Sequence, residues 1–402
     1  MVLSKKYSIF FLVVYFDMNE KIIFITDFFG PNPGGIENFH VGIIKNWQEN
    51  NIITICFDHH IYVDENEWNF FNNHFEKTLY RFDVSNNNIF NQKDKLKEII
   101  ALIDYIKEHH HVKHILLGNI SLTTKLLFQT IMNLQIPYSV ILHPFDLETI
   151  SFFRLNTLKF LKNARYIFIY TNYFYELALV KGISQEQLVK IPFGLYIRWN
   201  DNKQKIRDNF KSFLNQHKNK HKILTVGPLT KKKRLDRIVY TLEHLKKLIN
   251  IEEMIWFVAG SGSEYHYLNE LIRQYNLDNY IKLTGFLNNR ELGYLFYFSD
   301  MYYHPGGMPM DQYSGYSTTL LEAGFTSLPS VSGMGAAIED VIQNNITGFI
   351  LDYEDYEGMA YKIKELIENP KLRAKMGQYA EEKIIKEFSI ERSIYNISER
   401  IN

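Results

Sequence analysis

Residues 22–26 read Ile22-Ile23-Phe24-Ile25-Thr26 and run straight into Asp27-Phe28-Phe29-Gly30-Pro31-Asn32-Pro33-Gly34-Gly35. The first stretch is a short β-branched run, the pattern of a strand buried on both faces of a parallel sheet. The second is built from turn formers, and a helical apolar pattern follows it from Ile36 to Trp47. Strand, glycine-rich loop and helix in that order open a Rossmann-like unit. The glycines let backbone approach a ligand closely, and the helix start offers free N–H groups to an anion.

Working outward, the alternation continues. Strands are expected at Ile52–Phe57, His114–Leu117, Tyr138–Leu142 and Tyr166–Tyr170, with a helix over Lys93–Glu108 and further helical patterns between. Val189–Pro192 closes this half. Residues 196–221 then turn polar and Asn/Lys-rich, which reads as a linker carrying one exposed helix. The opening pattern repeats after it: strand Ile223–Val226, turn Gly227-Pro228-Leu229, helix Leu235–Leu248. Strands at Met254–Ala259, Tyr280–Leu283, Met301–Tyr303, Pro329–Val331 and Gly348–Leu351 follow, with helices at Thr318–Phe325, Tyr356–Glu368, Lys371–Glu387 and Ile390–Ile401. The fold class expected is α/β, two Rossmann-like parallel-sheet domains facing a cleft. The expected boundaries are an extension over 1–20, domains at 21–195 and 222–385, the linker at 196–221, and a final helix at 386–402 that packs back on the first domain.

A length of 402 residues suits two domains of about 150–200 residues each. Hydrophobic content of 46% with 22% charged residues is a globular balance. Lys+Arg and Asp+Glu are both 45, so bulk charge disfavours nucleic acid as a partner. Cys56 is the only cysteine and has no internal disulfide partner, which fits a reducing cytoplasm. The apolar run Ile9–Phe16 is far shorter than the ~20 residues that span a bilayer, and no small-residue cleavage site follows it. It reads as a dispensable extension, or alternatively as a weak anchor giving peripheral association at the inner membrane face.

The residues that carry chemistry are concentrated in the second half. In Gly315–Ala323, GYSTTLLEA, the hydroxyls of Ser317, Thr318 and Thr319 stand where a loop becomes a helix. Hydroxyls there cap the helix while free N–H groups face an anion such as a diphosphate. Glu322 follows about one turn later, within reach of ligand hydroxyls; alone, it reads more readily as a solvated helix carboxylate. The stretch resembles the signature of family 4 retaining glycosyltransferases of GT-B fold. There a Glu precedes the helix by several residues and a second Glu lies eight positions after the first.

That resemblance covers roughly residues 21–402 and implies roles residue by residue. Glu322 matches the second Glu, which holds the ribose of a sugar nucleotide. Ser314 stands where the first Glu belongs, and Asp311 is the one carboxylate in the longer loop Gly306–Tyr313, so Asp311 is read as its substitute beside the donor sugar. Gly227–Lys233 resembles the Gly-Arg-Leu…Lys segment: Lys233 aligns with the diphosphate-binding lysine, and Pro228 replaces the arginine, with Lys231, Lys232 or Arg234 left to compensate. Gly34 and Gly35 resemble the first glycine-rich loop. His143-Pro144-Phe145-Asp146 resembles His-x-x-Asp, whose His contacts donor-sugar hydroxyls; this makes His143 and Asp146 catalytic candidates together with Asp311. The His109–His111 run sits at a helix end and lacks ligand spacing, so no metal and no cofactor are expected.

The resemblance implies transfer of a sugar from a UDP- or GDP-sugar to a hydroxyl of a glycan or lipid-linked acceptor, with retention, in cytoplasmic surface-glycan assembly. The alternative is a non-catalytic scaffold subunit of the same fold, which the departures at Pro228 and Ser314 favour. A sugar-nucleotide epimerase is a further rival. A nicotinamide dehydrogenase is disfavoured, since no Gly-x-Gly-x-x-Gly with a following acidic residue comes after the first strand.

Overall fold

The computed structural model describes residues 20–30, 34–47, 51–58, 78–83, 89–143, 146, 154–200, 205–306, 317–335 and 337–402. The expectations for Asp311, Ser314, Pro33, Pro144, Phe145 and the extension before residue 20 lie outside them. The strands, in chain order, are β1 (Lys21–Thr26), β2 (Ile52–Asp58), β3 (Leu79–Asp83), β4 (Val112–Leu117), β5 (Tyr138–Ile141), β6 (Tyr166–Ile169), β7 (Leu188–Lys190), β8 (His221–Val226), β9 (Met254–Ala259), β10 (Ile281–Gly285), β11 (Met301–His304), β12 (Ser330–Gly333) and β13 (Gly348–Leu351).

They form two all-parallel sheets. The first has the order β3-β2-β1-β4-β5-β6-β7 and the second β10-β9-β8-β11-β12-β13. Each sheet therefore reverses direction of growth beside its first strand, between β1 and β4 and between β8 and β11. In doubly wound folds, ligands bind outside the C-terminal ends of the strands at such a switch point.

Burial on both faces explains why the strands read as unbroken apolar runs. Ile23, Ile25, Ile115, Leu117, Val140 and Ile167 pack into one layer, and Ile22, Phe24, Leu116, Ile141 and Phe168 into the other. A strand missing from the sequence reading is β3, LYRFD, an edge strand whose Tyr80 is exposed. The helix expected to be exposed in the linker, Asp208–Asn215, is instead amphipathic: Phe210 and Leu214 are buried in the core that joins the two halves. Their i,i+4 spacing puts both on one face.

The chain crosses between the halves twice. The first crossing is held on the second sheet's side by Arg207, whose Nε and Nη2 donate to the buried Glu291 carboxylate at 2.6 and 2.8 Å. The second leads into the helix Ile390–Ile401, which lies against the helix Gly35–Lys45 and buries Ile390, Ile394, Ile397 and Ile401. Leu195 N donates to Phe388 O at 2.7 Å, and Ser393 Oγ donates to Pro192 O at 2.9 Å. Gly194 is required here, because a Cβ would stand 2.5 Å from Ser393 Oγ and 2.7 Å from Ile390 Cα. Sandwiched between its own sheet and the returning helix, Gly35–Lys45 buries Phe39 through Ile44 without a break. No described helix is long and apolar enough to cross a membrane.

Candidate active site

The first switch point is finished in side chains that hold one another. At the end of β1, Thr26 Oγ1 and the backbone N–H of Asp27 both donate to Asn119 Oδ1 at 3.0 Å. Asn119 Nδ2 donates to Asp27 Oδ2 at 3.0 Å. His40, on the Gly35–Lys45 helix, places Nδ1 2.7 Å from Phe28 O and 3.0 Å from Thr26 Oγ1. Its Nε2 lies 3.2 Å from Nε2 of His143, which is also 2.8 Å from Gly118 O. Asp146 closes the turn after β5, accepting from His143 N at 2.9 Å and donating its own N–H to His143 O at 3.0 Å.

Burial dominates the electrostatics of this floor. It pushes His40 down to about 4, against the pull of the Phe28 and Gly118 carbonyls and of Asp27. It holds His143 well below the usual histidine range, with the neighbouring His40 adding to the effect. It pushes the Asp146 carboxyl up to about 8, although the N–H groups of His143 and Ile120 oppose it. Both imidazoles are therefore neutral at physiological pH.

The second switch point lies at the ends of β8 and β11. Lys231–Lys233 forms a 3-10 turn, and Lys233 N donates to Thr230 O at 2.9 Å. Lys233 stands near enough to His304, at the end of β11, to help lower it: burial first, then Lys233 and Arg237, bring it to about 3. Arg234 adopts the left-handed conformation and grips Asp236 with Nε and Nη2, both at 3.0 Å. It is thus committed to its neighbour, a limit on its compensating for Pro228. Arg237 is fully buried, donates to Pro305 O at 2.8 Å and stacks 4.5 Å from the Tyr353 ring centre.

The helix Thr318–Phe325 begins without a side-chain cap, contrary to the expectation that hydroxyls cap it. Ser317 Oγ turns instead to Thr319 Oγ1 at 3.0 Å, and Thr319 accepts from the buried Tyr302 hydroxyl at 2.7 Å. Leu320 N donates to Ser317 O at 2.9 Å, and the N–H groups of Thr318 and Thr319 have no acceptor among the described residues. Glu322 has no cation and no hydrogen-bond donor among the described residues, and burial pushes its carboxyl up to about 8.

The two halves meet at the glycine-rich loop. Gly34 is the extended, uncapped residue before the Gly35–Lys45 helix. At Gly35, a Cβ would lie 2.4 Å from Thr318 Cγ2, so only glycine lets the two helix starts come together. Two positive dipole ends are thereby brought close together. Glu37 folds back over Gly34, and burial pushes it up to about 7 against the charge of Arg198. Gly34, Gly35, Ser317, Thr318 and Thr319 are brought together in this way, and His143 and Asp146 are joined on the floor of the first half. His40, Asn119 and Arg237 were not found from sequence. The signal available was a polar residue inside an apolar pattern, as at His40 between Phe39 and Val41.

The family described as Glycosyl transferases group 1 matches residues 206–383. The architecture is shared along nearly the whole chain with Anabaena Alr3699/HepE solved in complex with UDP, at a TM-score of 0.70 and 15% identity, covering 94% of this chain and 98% of that one. The fold is GT-B. A point mutant of Staphylococcus aureus TarM, solved in complex with Fondaparinux, alpha-GlcNAc-glycerol and UDP, has the same GT-B architecture at a TM-score of 0.66 and 13% identity, covering 95% of this chain and 100% of that one. Among curated relatives, N-acetyl-alpha-D-glucosaminyl L-malate synthase of Bacillus anthracis is 21% identical over 162 residues, 40% of this chain and 41% of its own length. Poly(ribitol-phosphate) alpha-N-acetylglucosaminyltransferase of Staphylococcus aureus (strain COL) is 25% identical over 160 residues, 40% of this chain and 31% of its own. The chain thus spans between 31% and 42% of the length of the curated relatives it matches.

Proposed function

We propose that this GT-B chain is a retaining glycosyltransferase of the family 4 type. It moves a sugar from a nucleoside-diphosphate donor to a hydroxyl of a glycan or lipid-linked acceptor in surface-glycan assembly at the inner membrane face. The observation that carries the reading is the meeting of the two helix starts at Gly35 and Thr318, which brings N–H groups of both halves close together, an arrangement that favours an anion. UDP in the Alr3699/HepE structure supports a uridine donor, and the named relatives support an N-acetylglucosaminyl or related hexosyl group.

In this reading the second half binds the donor. Glu322 takes the ribose hydroxyls, while Lys233 and the uncapped N–H groups of Thr318 and Thr319 take the diphosphate. Negative charge grows on that diphosphate as the glycosidic bond breaks, and fixed dipoles and a cation aimed at it lower the barrier. His143 meets the transferred sugar from the other half, and Asp146 holds the His143 backbone in place. Asp311 supplies the carboxylate that Ser314 lacks. The first half takes the acceptor, and closure of the two keeps water from the donor.

The test is thermal stabilisation by UDP- and GDP-sugars, followed by product analysis with and without acceptor. A donor at about 100 times its dissociation constant adds roughly 2.7 kcal/mol of apparent stability. No stabilisation by any nucleotide sugar, or binding with neither transfer nor hydrolysis, would refute the enzyme.

A further inference from the structure

Tyr302 and Tyr303 stand side by side in β11 and, as successive strand residues, point to opposite faces of the second sheet. Both are fully buried, in places where phenylalanine would fill the same space. A buried hydroxyl costs stability unless it is bonded, so each needs a partner. Tyr303 finds its partners inside the core: its hydroxyl lies 2.8 Å from Thr241 Oγ1 and 3.1 Å from Met359 Sδ. Tyr302 finds its partners at the switch point. Its hydroxyl lies 2.7 Å from Thr319 Oγ1, 3.2 Å from Val226 O and 3.4 Å from Val226 N.

One oxygen thus touches two elements of the second half. Val226 ends β8 and leads into Gly227–Lys233, and Thr319 lies in the first turn of the helix Thr318–Phe325. The bonds also have a sense. Val226 N can only donate, so it takes one lone pair of the Tyr302 oxygen. Burial keeps the phenol protonated, against the bonds to Thr319 and Val226 O and with the charge of Glu322 adding to it. Its hydrogen goes to Thr319, the nearer of its two acceptors. The Thr319 hydroxyl in turn has Ser317 Oγ, 3.0 Å away, to donate to. The hydrogen left at the end of this chain belongs to Ser317, which is half-buried. A donor at that end suits an anion, whereas the reverse sense would leave it a lone pair.

We propose that Tyr302 is a positioning residue for the diphosphate: its hydroxyl fixes the end of β8 against the helix start and sets Thr319 and Ser317 so that the outermost hydroxyl donates. The proposal rests on the donor-site reading above and adds to it a residue that touches no ligand itself.

The test is calorimetry on the full chain with whichever of UDP and GDP binds tighter, compared with its nucleoside. Tyr302→Phe should weaken the nucleoside diphosphate about tenfold and the nucleoside by less than about twofold, since one hydrogen bond near the phosphates is lost. Tyr303→Phe is the internal control. It removes a hydroxyl from the other face of the same strand, so it should lower the melting temperature and leave the ratio of the two affinities unchanged. A merely structural role would make the two variants alike. Thr319→Val interrupts the chain one link further on, and combined with Tyr302→Phe it should cost less than the product of the two single losses. An unchanged affinity ratio in Tyr302→Phe, or losses that multiply in the double variant, overturns the proposal. Should Tyr302→Phe not fold, Thr319→Val and Ser317→Ala carry the test: a relayed chain makes their losses overlap, and losses that multiply overturn it. Failure of the wild-type chain to bind either nucleotide overturns the donor reading itself, and the two failures are thereby told apart.

Discussion

The two halves carry the same strand order yet end their switch points differently. Around β1 and β4, Thr26, Asp27, Asn119, His40 and His143 are tied directly to one another. Around β8 and β11, the helix start at Thr318 is uncapped and Glu322 has no donor among the described residues. One switch point is knitted by direct bonds between side chains; the other has a helix start and a carboxyl whose partners must arrive. Same topology does not mean same role: the half with unmet groups gains most from a charged ligand, since an uncapped helix and an unpartnered carboxyl are costs that binding removes.

The contrast breaks most visibly at the seam. Gly35→Val should cut transfer by at least about 100-fold, since misplacement of about 1 Å suffices for that. UDP affinity should fall with it, because the N–H groups of both helix starts serve the diphosphate. UDP affinity left within about threefold would show that the second half binds the nucleotide alone.

Next in size is Glu322→Ala, for which nucleotide affinity should fall by roughly 1.5–3 kcal/mol with little change in melting temperature. Calorimetry that finds the affinity unchanged would remove Glu322 from the ribose. The mirror variant is Asn119→Ala in the assembled half. It should cost about 1–3 kcal/mol of stability, because Thr26 and Asp27 lose their shared acceptor, and leave UDP affinity untouched. Stability unchanged in urea titration would deny that Asn119 holds this floor together. Lys233→Ala should weaken UDP about tenfold and uridine hardly at all. Equal losses would place the lysine's effect in the fold.

The smallest effect is on pH. The Glu322 carboxyl is raised to about 8 by burial. Hydroxyls that donate to it favour the ionised form, so UDP binding should release a proton and tighten as pH rises through that value. From pH 7 to 9 the gain should be severalfold, up to about tenfold, and absent in Glu322→Gln. A flat profile in the wild type would place the ribose elsewhere.

The strands and the helix starts were legible because buried parallel strands and glycine loops write themselves locally, as in Ile22–Gly35. Edge strand β3 was not, since Tyr80 and Arg81 interrupt its apolar run. His40, Asn119 and Arg237 stayed hidden for another reason. Their partners are 103, 92 and 68 residues away in sequence, and only the strand order brings them together. The Asp208–Asn215 helix was read by its lysines and asparagines, although the Phe210–Leu214 stripe was already there. At Ser317 the residue type was right for a cap, but Tyr302 and Thr319, fixed by the sheet beneath, offer its hydroxyl another chain of bonds.

The two crossings between the halves run side by side, bridged at Leu195 and Ser389 and bonded from Leu195 N to Phe388 O. Joined there, they act as one strap, which bends readily but resists sliding. Opening should therefore swing Gly35 away from Thr318 along an arc whose pivot is this strap, and bring them back to the same meeting point on each closure. The register of the jaws is kept by residues far from the chemistry. Cutting the chain before Ile390 would take away the Ser393–Pro192 bond beside the strap and uncover the face of the Gly35–Lys45 helix that the last helix covers.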